Sequence, residues 1–304
     1  MPTRRQFLTH AGSTLAVSAM SSAATPSSPP LLRFGLSADC QYADVAPAGK
    51  RFYRQSLRKL QEAVTELNRH DLAFSFHLGD FIDRDFESFE ALAPIAAGLN
   101  SPLHHLLGNH DFEVADEHKA AVPAKLGLDQ PYYSFRRAGF RFVILDTNEV
   151  SVYRHPSDDP RTAAARVELE ELRAAGVPGA KPWNGRPGAT QLAWLKKELQ
   201  EATAARESVL VFGHHPVLPG ESHAIWNHTA LTDLFRAFPC VKAYLNGHNH
   251  AGAYVARDGC HYLTLDGMLD TKDTNAFGHA ALYADRLVVT GFGRQPSHTL
   301  QFEA

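Results

Sequence analysis

The sequence predicts an α/β protein built from mixed sheets with helices on their outer faces. Three observations lead there. Short apolar runs alternate with amphipathic helical patterns through the first two thirds of the chain. Strand-like segments without intervening helices fill the last fifth. Apolar residues make up 44% and charged residues 21% of the 304 residues, a balance that supports a substantial core and excludes general disorder.

The elements follow in order. Residues 1–30 contain no acid and run from Arg4-Arg5-Gln6-Phe7-Leu8 through a mildly apolar stretch to a Ser/Ala/Pro-rich end. This is the layout of a signal peptide, and the paired arginines mark it as twin-arginine type, with cleavage near Ser22-Ala23-Ala24. Leu32 to Ser37 reads as a strand, and Lys50 to Arg69 as an amphipathic helix with apolar residues at spacings of three and four. Leu72 to Leu78 is a strand, Phe86 to Ala97 a helix and Pro102 to Leu107 a strand. Tyr132 to Arg136 and Phe140 to Leu145 form a hairpin turned at Arg137-Ala138-Gly139. Gln191 to Ala205 is a helix; Ser208 to Phe212 and Val241 to Leu245 are buried strands. Four further strands are expected at Ala253 to Ala256, His261 to Leu265, Ala280 to Tyr283 and Arg286 to Thr290. One domain from residue 31 to 304 is expected, interrupted by a charged, Pro/Gly-rich stretch at 151–188 that is helical around Arg161 to Ala175 and reads as a surface excursion or a lid over a site.

Charge and cysteine content narrow the function. With 30 basic and 33 acidic residues the net charge is −3, and loss of the leader would make it 28 − 33 = −5. Such a chain lacks the basic surface of a nucleic-acid binder. Three cysteines cannot form a disulfide scaffold. Seventeen histidines, by contrast, point towards metal or acid–base chemistry.

The chemistry concentrates where apolar runs end. Asp39-Cys40-Gln41, Gly79-Asp80 with Asp83-Arg84 behind it, Gly108-Asn109-His110-Asp111, Gly213-His214-His215-Pro216 and Gly247-His248-Asn249-His250 each follow such a run. The carboxyl ends of strands in α/β sheets are where ligands bind, so these five sets can meet in one crevice. Each alone is ordinary turn chemistry; five in this order are not.

Together the motifs resemble the calcineurin-like metallophosphoesterase superfamily, whose pattern is D-x-H, G-D, G-N-H-[DE], a later His and G-H-x-H. The likeness extends from Leu32 to about Arg294. It implies a four-layer α/β/β/α sandwich and two divalent cations. By position, Asp39, Asp80 and His250 would hold one ion, and Asp80, Asn109, His214 and His248 the other. His215 is left without a role. His110 would act on the substrate as the catalytic residue, with Asp83 orienting it. Gln41 stands where the superfamily has histidine; an amide oxygen is a harder ligand than imidazole and favours Mn or Mg over Zn.

Gln41 also narrows the resemblance. Asp39-Cys40-Gln41-Tyr42-Ala43-Asp44 and Phe52-Tyr53-Arg54-Gln55-Ser56-Leu57 look like the opening of manganese-dependent ADP-ribose/CDP-alcohol diphosphatases. Tyr132-Tyr133-Ser134-Phe135, Asn184-Gly185, Ala224-Ile225-Trp226-Asn227 and Asn275-Ala276-Phe277-Gly278 support the same subfamily. The implied reaction is cleavage of the pyrophosphate in ADP-ribose, CDP-choline or CDP-glycerol type substrates, with Mn as the favoured ion and Mg, Fe or Zn as alternatives. Substrate contacts are expected from Asn109, His110, Arg84, Asn275 and Phe277. The partners are then a nucleotide substrate and the twin-arginine export machinery, with no nucleic acid and no lasting membrane insertion, and the location is periplasmic or secreted. The alternatives are a phosphomonoesterase or phosphodiesterase of the same superfamily, a nuclease and a silent metal-binding module.

Overall fold

The computed structural model describes residues 28–303, so residues 1–27 of the expected leader lie outside the described residues. Twelve strands form two six-stranded sheets. The first contains β1 (Leu32–Ser37), β2 (Phe74–His77), β3 (Leu103–His105), β10 (Ala276–Leu282), β11 (Arg286–Gly293) and β12 (His298–Gln301) in the order β12-β11-β10-β1-β2-β3. The second contains β4 (Tyr133–Arg137), β5 (Phe140–Ile144), β6 (Ser208–Phe212), β7 (Val241–Asn246), β8 (Ala251–Arg257) and β9 (Cys260–Asp266) in the order β4-β5-β6-β7-β9-β8. β1, β2 and β3 run parallel, as do β5, β6, β7 and β9, while the flanking strands are antiparallel.

The inward faces of the two sheets share one apolar core. Phe34 meets Phe142 edge-on at 6.0 Å, and Phe76 stacks on Phe212 at 4.2 Å, so aromatic pairs join the sheets. The helices are α1 (Ser56–Leu67), α2 (Ser88–Ala96), α3 (Val122–Lys125), α4 (Pro160–Ala174), α5 (Ala189–Ala205) and α6 (His228–Ala237). α1 buries Leu60, Val64 and Leu67, and α2 buries Phe89 and Leu92, in the core on the outer face of the first sheet. Leu195 and Leu199 of α5 with Leu231 and Phe235 of α6 cover the outer face of the second. The four-layer α/β/β/α sandwich is thus present.

Two expected boundaries change for structural reasons. The helix drawn from Lys50 begins as a 3-10 turn at Tyr53 and becomes α-helical at Ser56, because Arg51 instead bridges Ala48 and Asp270. That bridge pulls Lys50 and Arg51 out of the helix and towards the carboxyl ends of the strands. β12 and α6 were not expected: the first offers one buried apolar residue, Leu300, and the second only Leu231 and Phe235. The hairpin turn is tighter than the sequence suggests, with Ala138 and Gly139 both left-handed, the pairing that two-residue hairpins need.

Within 151–188, Pro160 at the first helical position and the Asp159 carboxylate accepting from Arg161 N–H start α4. Ala165 and Leu169 pack on Ala180 and Trp226, which fixes the excursion against the body of the fold. Among the described residues no helix is long and apolar enough to cross a membrane.

Candidate metal centre

The turns after β1, β2, β3, β6 and β7 converge. Carboxylates and an amide come from the first sheet (Asp39, Asp80, Asn109) and imidazoles from the second (His214, His248, His250). Close approach requires small residues: a Cβ on Gly108 would lie 2.1 Å from the Asp80 backbone nitrogen, and one on Gly247 would lie 2.7 Å from Asp39 Oδ2. Asp39, Gln41, Asp80 and His248 all hold positive φ (54°, 45°, 58° and 70°), conformations that side-chain-bearing residues adopt at a cost and that cluster at functional sites. Asp111 stabilises this backbone by accepting from the N–H groups of Gly108, Phe81, Ile82 and Asp80 at 2.8, 2.8, 3.1 and 3.2 Å.

Asp80 is the hub. Its Oδ1 accepts from His110 N–H at 2.8 Å and lies 3.3 Å from His214 Nε2, and its Oδ2 accepts from Gln41 Nε2 at 2.8 Å. His214 Nδ1 lies 2.8 Å from the Leu78 carbonyl, which can only accept, so Nδ1 carries the proton and Nε2 presents a lone pair. Asn109 Oδ1 is 3.2 Å from that Nε2. With His214 neutral, three acceptors crowd one point, an arrangement that positive charge resolves, either a proton on Nε2 or a metal ion in its place. The field there favours positive charge: burial opposes a proton on His214, yet Asp80 pushes it up to about 9. Burial would likewise raise Asp80, but His214 and His110 hold it well below the usual carboxylate range. Asp39, with burial dominating over His250, is pushed up to about 6.

The other imidazoles are oriented from behind. His250 Nδ1 lies 2.9 Å from Asp270 Oδ1, which leaves its Nε2 facing Gln41 Nε2 at 3.0 Å and Asp39 Oδ1 at 3.7 Å. His248 Nε2 lies 2.8 Å from Asn184 Oδ1. The Asn184 amide nitrogen donates to the carbonyls of Gly179 (2.9 Å) and Ser222 (2.8 Å), so its oxygen must face His248, and Nδ1 becomes that ring's free lone pair. Gln41 Oε1 is buried without a partner. Asp39, Asp80 and His250 offer ligand atoms close enough to share one ion. His214, His215 and His248 also cluster, but both His215 nitrogens are engaged, Nδ1 with Thr147 Oγ1 at 2.8 Å and Nε2 with the Trp183 carbonyl at 3.2 Å. His215 ties the excursion to the strand end.

A cleft of about 340 Å³ opens on this cluster, lined by Gln41, Asp80, Asn109, His110, His248 and His250 and walled by Arg51, Glu113, Trp183 and His223. His110 Nδ1 sits 3.2 Å from Asp83 Oδ1 and 3.4 Å from Glu113 Oε1. Burial works to deprotonate this ring, but the charges of Asp80, Asp83 and Glu113 outweigh it and raise His110 well above the usual range.

The calcineurin-like phosphoesterase family model matches residues 32–252, which contain all five strand-end motifs, with Gln41 in place of the histidine of the first. The chain belongs to that family. It is 34% identical over 306 residues to a manganese-dependent ADP-ribose/CDP-alcohol diphosphatase of Oryza sativa subsp. japonica, covering 90% of this chain and 95% of the relative. The human protein of the same name is 26% identical over 92% of this chain and 96% of its own length. A dimetal phosphatase from Danio rerio superposes with a TM-score of 0.81 at 28% identity, over 90% of this chain and all of that one. The chain is a hydrolase of phosphoric ester or phosphoanhydride bonds.

Three expected substrate contacts lie elsewhere. Asn275 is buried, with its amide donating to the Lys59 carbonyl at 2.7 Å and its oxygen accepting from Ala276 N–H at 2.9 Å. Phe277 stacks on Phe292 at 5.0 Å in the core under α1. Arg84 donates to Tyr53 OH at 3.2 Å and lies over that ring. Arg51, Glu113, Trp183 and His223, none of them among the residues expected to contact substrate, wall the cleft instead.

Proposed function

We propose that this protein is a manganese-dependent diphosphatase that hydrolyses the pyrophosphate of nucleoside diphosphates linked to a sugar or an alcohol, giving a nucleoside monophosphate and a phosphorylated sugar or alcohol. The extent of the likeness carries this reading: relatives bearing that name align along nearly their whole length and nearly all of this chain.

In this reading Asp39, Asp80 and His250 would hold one divalent ion, joined by Gln41 once its amide turns to present Oε1 where Nε2 now meets Asp80 and His250, and Asp80, Asn109, His214 and His248 would hold the other. The convergence of Asp80, Asn109 and His214 Nε2 at a point that attracts positive charge supports the second site, and the His250 Nε2 lone pair, fixed by Asp270 on Nδ1, supports the first. A pair of divalent cations supplies Lewis-acid stabilisation of phosphoryl oxygens and lowers the pKa of water. The chain supplies the rest. His110, kept cationic between Asp83 and Glu113, donates to the leaving phosphate oxygen. Arg51 offers positive charge to the second phosphate, and the Trp183 ring, 42% exposed beside the cleft, presents a flat face to a base.

The test is hydrolysis of ADP-ribose, CDP-choline, CDP-glycerol, p-nitrophenyl phosphate and its bis ester by metal-stripped protein reloaded with Mn, Mg, Zn or Fe. Manganese-dependent cleavage of the nucleotides is expected, and it should vanish in Asp80→Ala and Asn109→Ala without loss of fold. Faster hydrolysis of the nitrophenyl esters than of every nucleotide would overturn the substrate assignment. We also read the chain as exported by the twin-arginine route, on the strength of Arg4-Arg5-Gln6-Phe7-Leu8. Replacing both arginines with lysine should then retain the protein in the cytoplasm, and unchanged export would refute the route.

A further inference from the structure

Lys59 is fully buried in α1, yet among the described residues no carboxylate pairs with its ammonium. Its Nζ donates to the carbonyls of Met268 (2.7 Å), Asp270 (2.8 Å) and Thr271 (2.7 Å). Three carbonyl dipoles aimed at one buried point repel one another unless a cation sits there, and a buried ammonium is costly unless its protons are all used. Each feature explains the other: the 268–271 turn has its shape because a lysine tip fills it.

That turn carries the site's supports. Met268 N–H donates to the Ala38 carbonyl at 3.0 Å and Leu269 N–H to the Asp39 carbonyl at 2.9 Å, so the turn backs the strand end that presents Asp39. Asp270, whose own carbonyl is on the lysine, sets the proton of His250 with Oδ1 at 2.9 Å and meets Lys50 with Oδ2 at 2.7 Å. Asn275, on the far side, holds the Lys59 carbonyl.

We propose that Lys59 is a positioning residue for one metal ion: a built-in cation that folds the 268–271 turn and, through Asp270 and Asp39, holds His250 Nε2 and the Asp39 carboxylate in ligating geometry. This rests on the assignment of Asp39 and His250 to a metal.

The test is Mn(II) binding to the metal-stripped full chain, followed by electron paramagnetic resonance and checked against circular dichroism. In Lys59→Met the affinity for one of two ions falls about 10- to 100-fold, the usual effect of losing support behind a ligand, while the other ion binds as in the parent. Asp270→Asn weakens the same ion, and the double variant loses no more than the more damaged single variant, because both act through one turn. Lys59→Gln, which keeps two donors, loses less than Lys59→Met and serves alone if the methionine variant does not fold. Parent-like binding of both ions in a folded Lys59 variant, or multiplicative losses in the double variant, would overturn the proposal. A parent chain that binds no Mn(II) would instead overturn the metal assignment itself, and this proposal with it.

Discussion

The oxygen of Asn184 faces His248 Nε2 at 2.8 Å because its nitrogen is occupied by two backbone carbonyls. One side chain from the excursion thereby decides which nitrogen of a strand-end histidine is free.

Asn184→Ala should lower Mn affinity or kcat by about 10- to 100-fold while Asn184→Asp, which still accepts from His248, retains more of both. A Mn titration with steady-state rates checks this. Parent behaviour in the alanine variant would show that His248 needs no such support.

The raised titration of His110 sets the alkaline side of the pH profile. A group whose folded value is raised is protonated through neutrality; the stability it contributes is fully present below the unfolded value of about 6.5 and is lost as pH rises through the folded value. Activity that needs the protonated ring should fall over that same alkaline limb. Asp83→Asn should move the limb to lower pH, and His110→Ala should cost about 10²-fold or more in kcat and abolish the limb. An alkaline limb unmoved by Asp83→Asn would remove Asp83 from this role.

Gln41→His should shift the preferred ion from Mn towards Zn, since imidazole is the softer ligand. Rates for the parent and variant reloaded with each metal give the answer directly. An unchanged order of metals would mean that Gln41 does not tune the ion.

Asn275 and Trp183 should separate stability from recognition. Asn275→Ala should destabilise the fold by about 1 kcal/mol with KM unchanged, because its hydrogen bonds join α1 to β10. Trp183→Ala should raise KM by about tenfold, within the 1–3 kcal/mol typical of base stacking, with little change in melting temperature. Denaturant titrations and KM values on CDP-choline distinguish the two, and the reverse pattern would return substrate contact to Asn275.

The strand-end motifs were legible because each ligand-type residue sits within a few positions of an apolar run whose end defines its place. Asp39, Asp80, Asn109, His214, His248 and His250 all converge as that reasoning expects. What lay beyond it were residues positioned by distant segments. Asn184 reaches His248 from 64 positions away, and Asp270 reaches His250 from 20. Arg51 reaches the cleft only because a bridge to Asp270 interrupts the expected helix. Phe277 shows the converse error: it follows a metal motif in sequence, but its place on β10 turns the ring to the helix-covered face of the first sheet. Proximity along the chain carries no information about which face of a strand a residue occupies.

The division of the donor atoms between the two sheets has a thermodynamic consequence. Asp39, Asp80 and Asn109 belong to one sheet and the three histidines to the other. An ion held among them is a cross-link between layers joined by an apolar core and by a few hydrogen bonds at this edge, and it is available to the native state alone. Occupancy at a hundred times the dissociation constant would add about 2.7 kcal/mol per ion by mass action. The melting temperature should therefore climb with the logarithm of manganese concentration, and chelation should loosen the sandwich along the seam between its sheets.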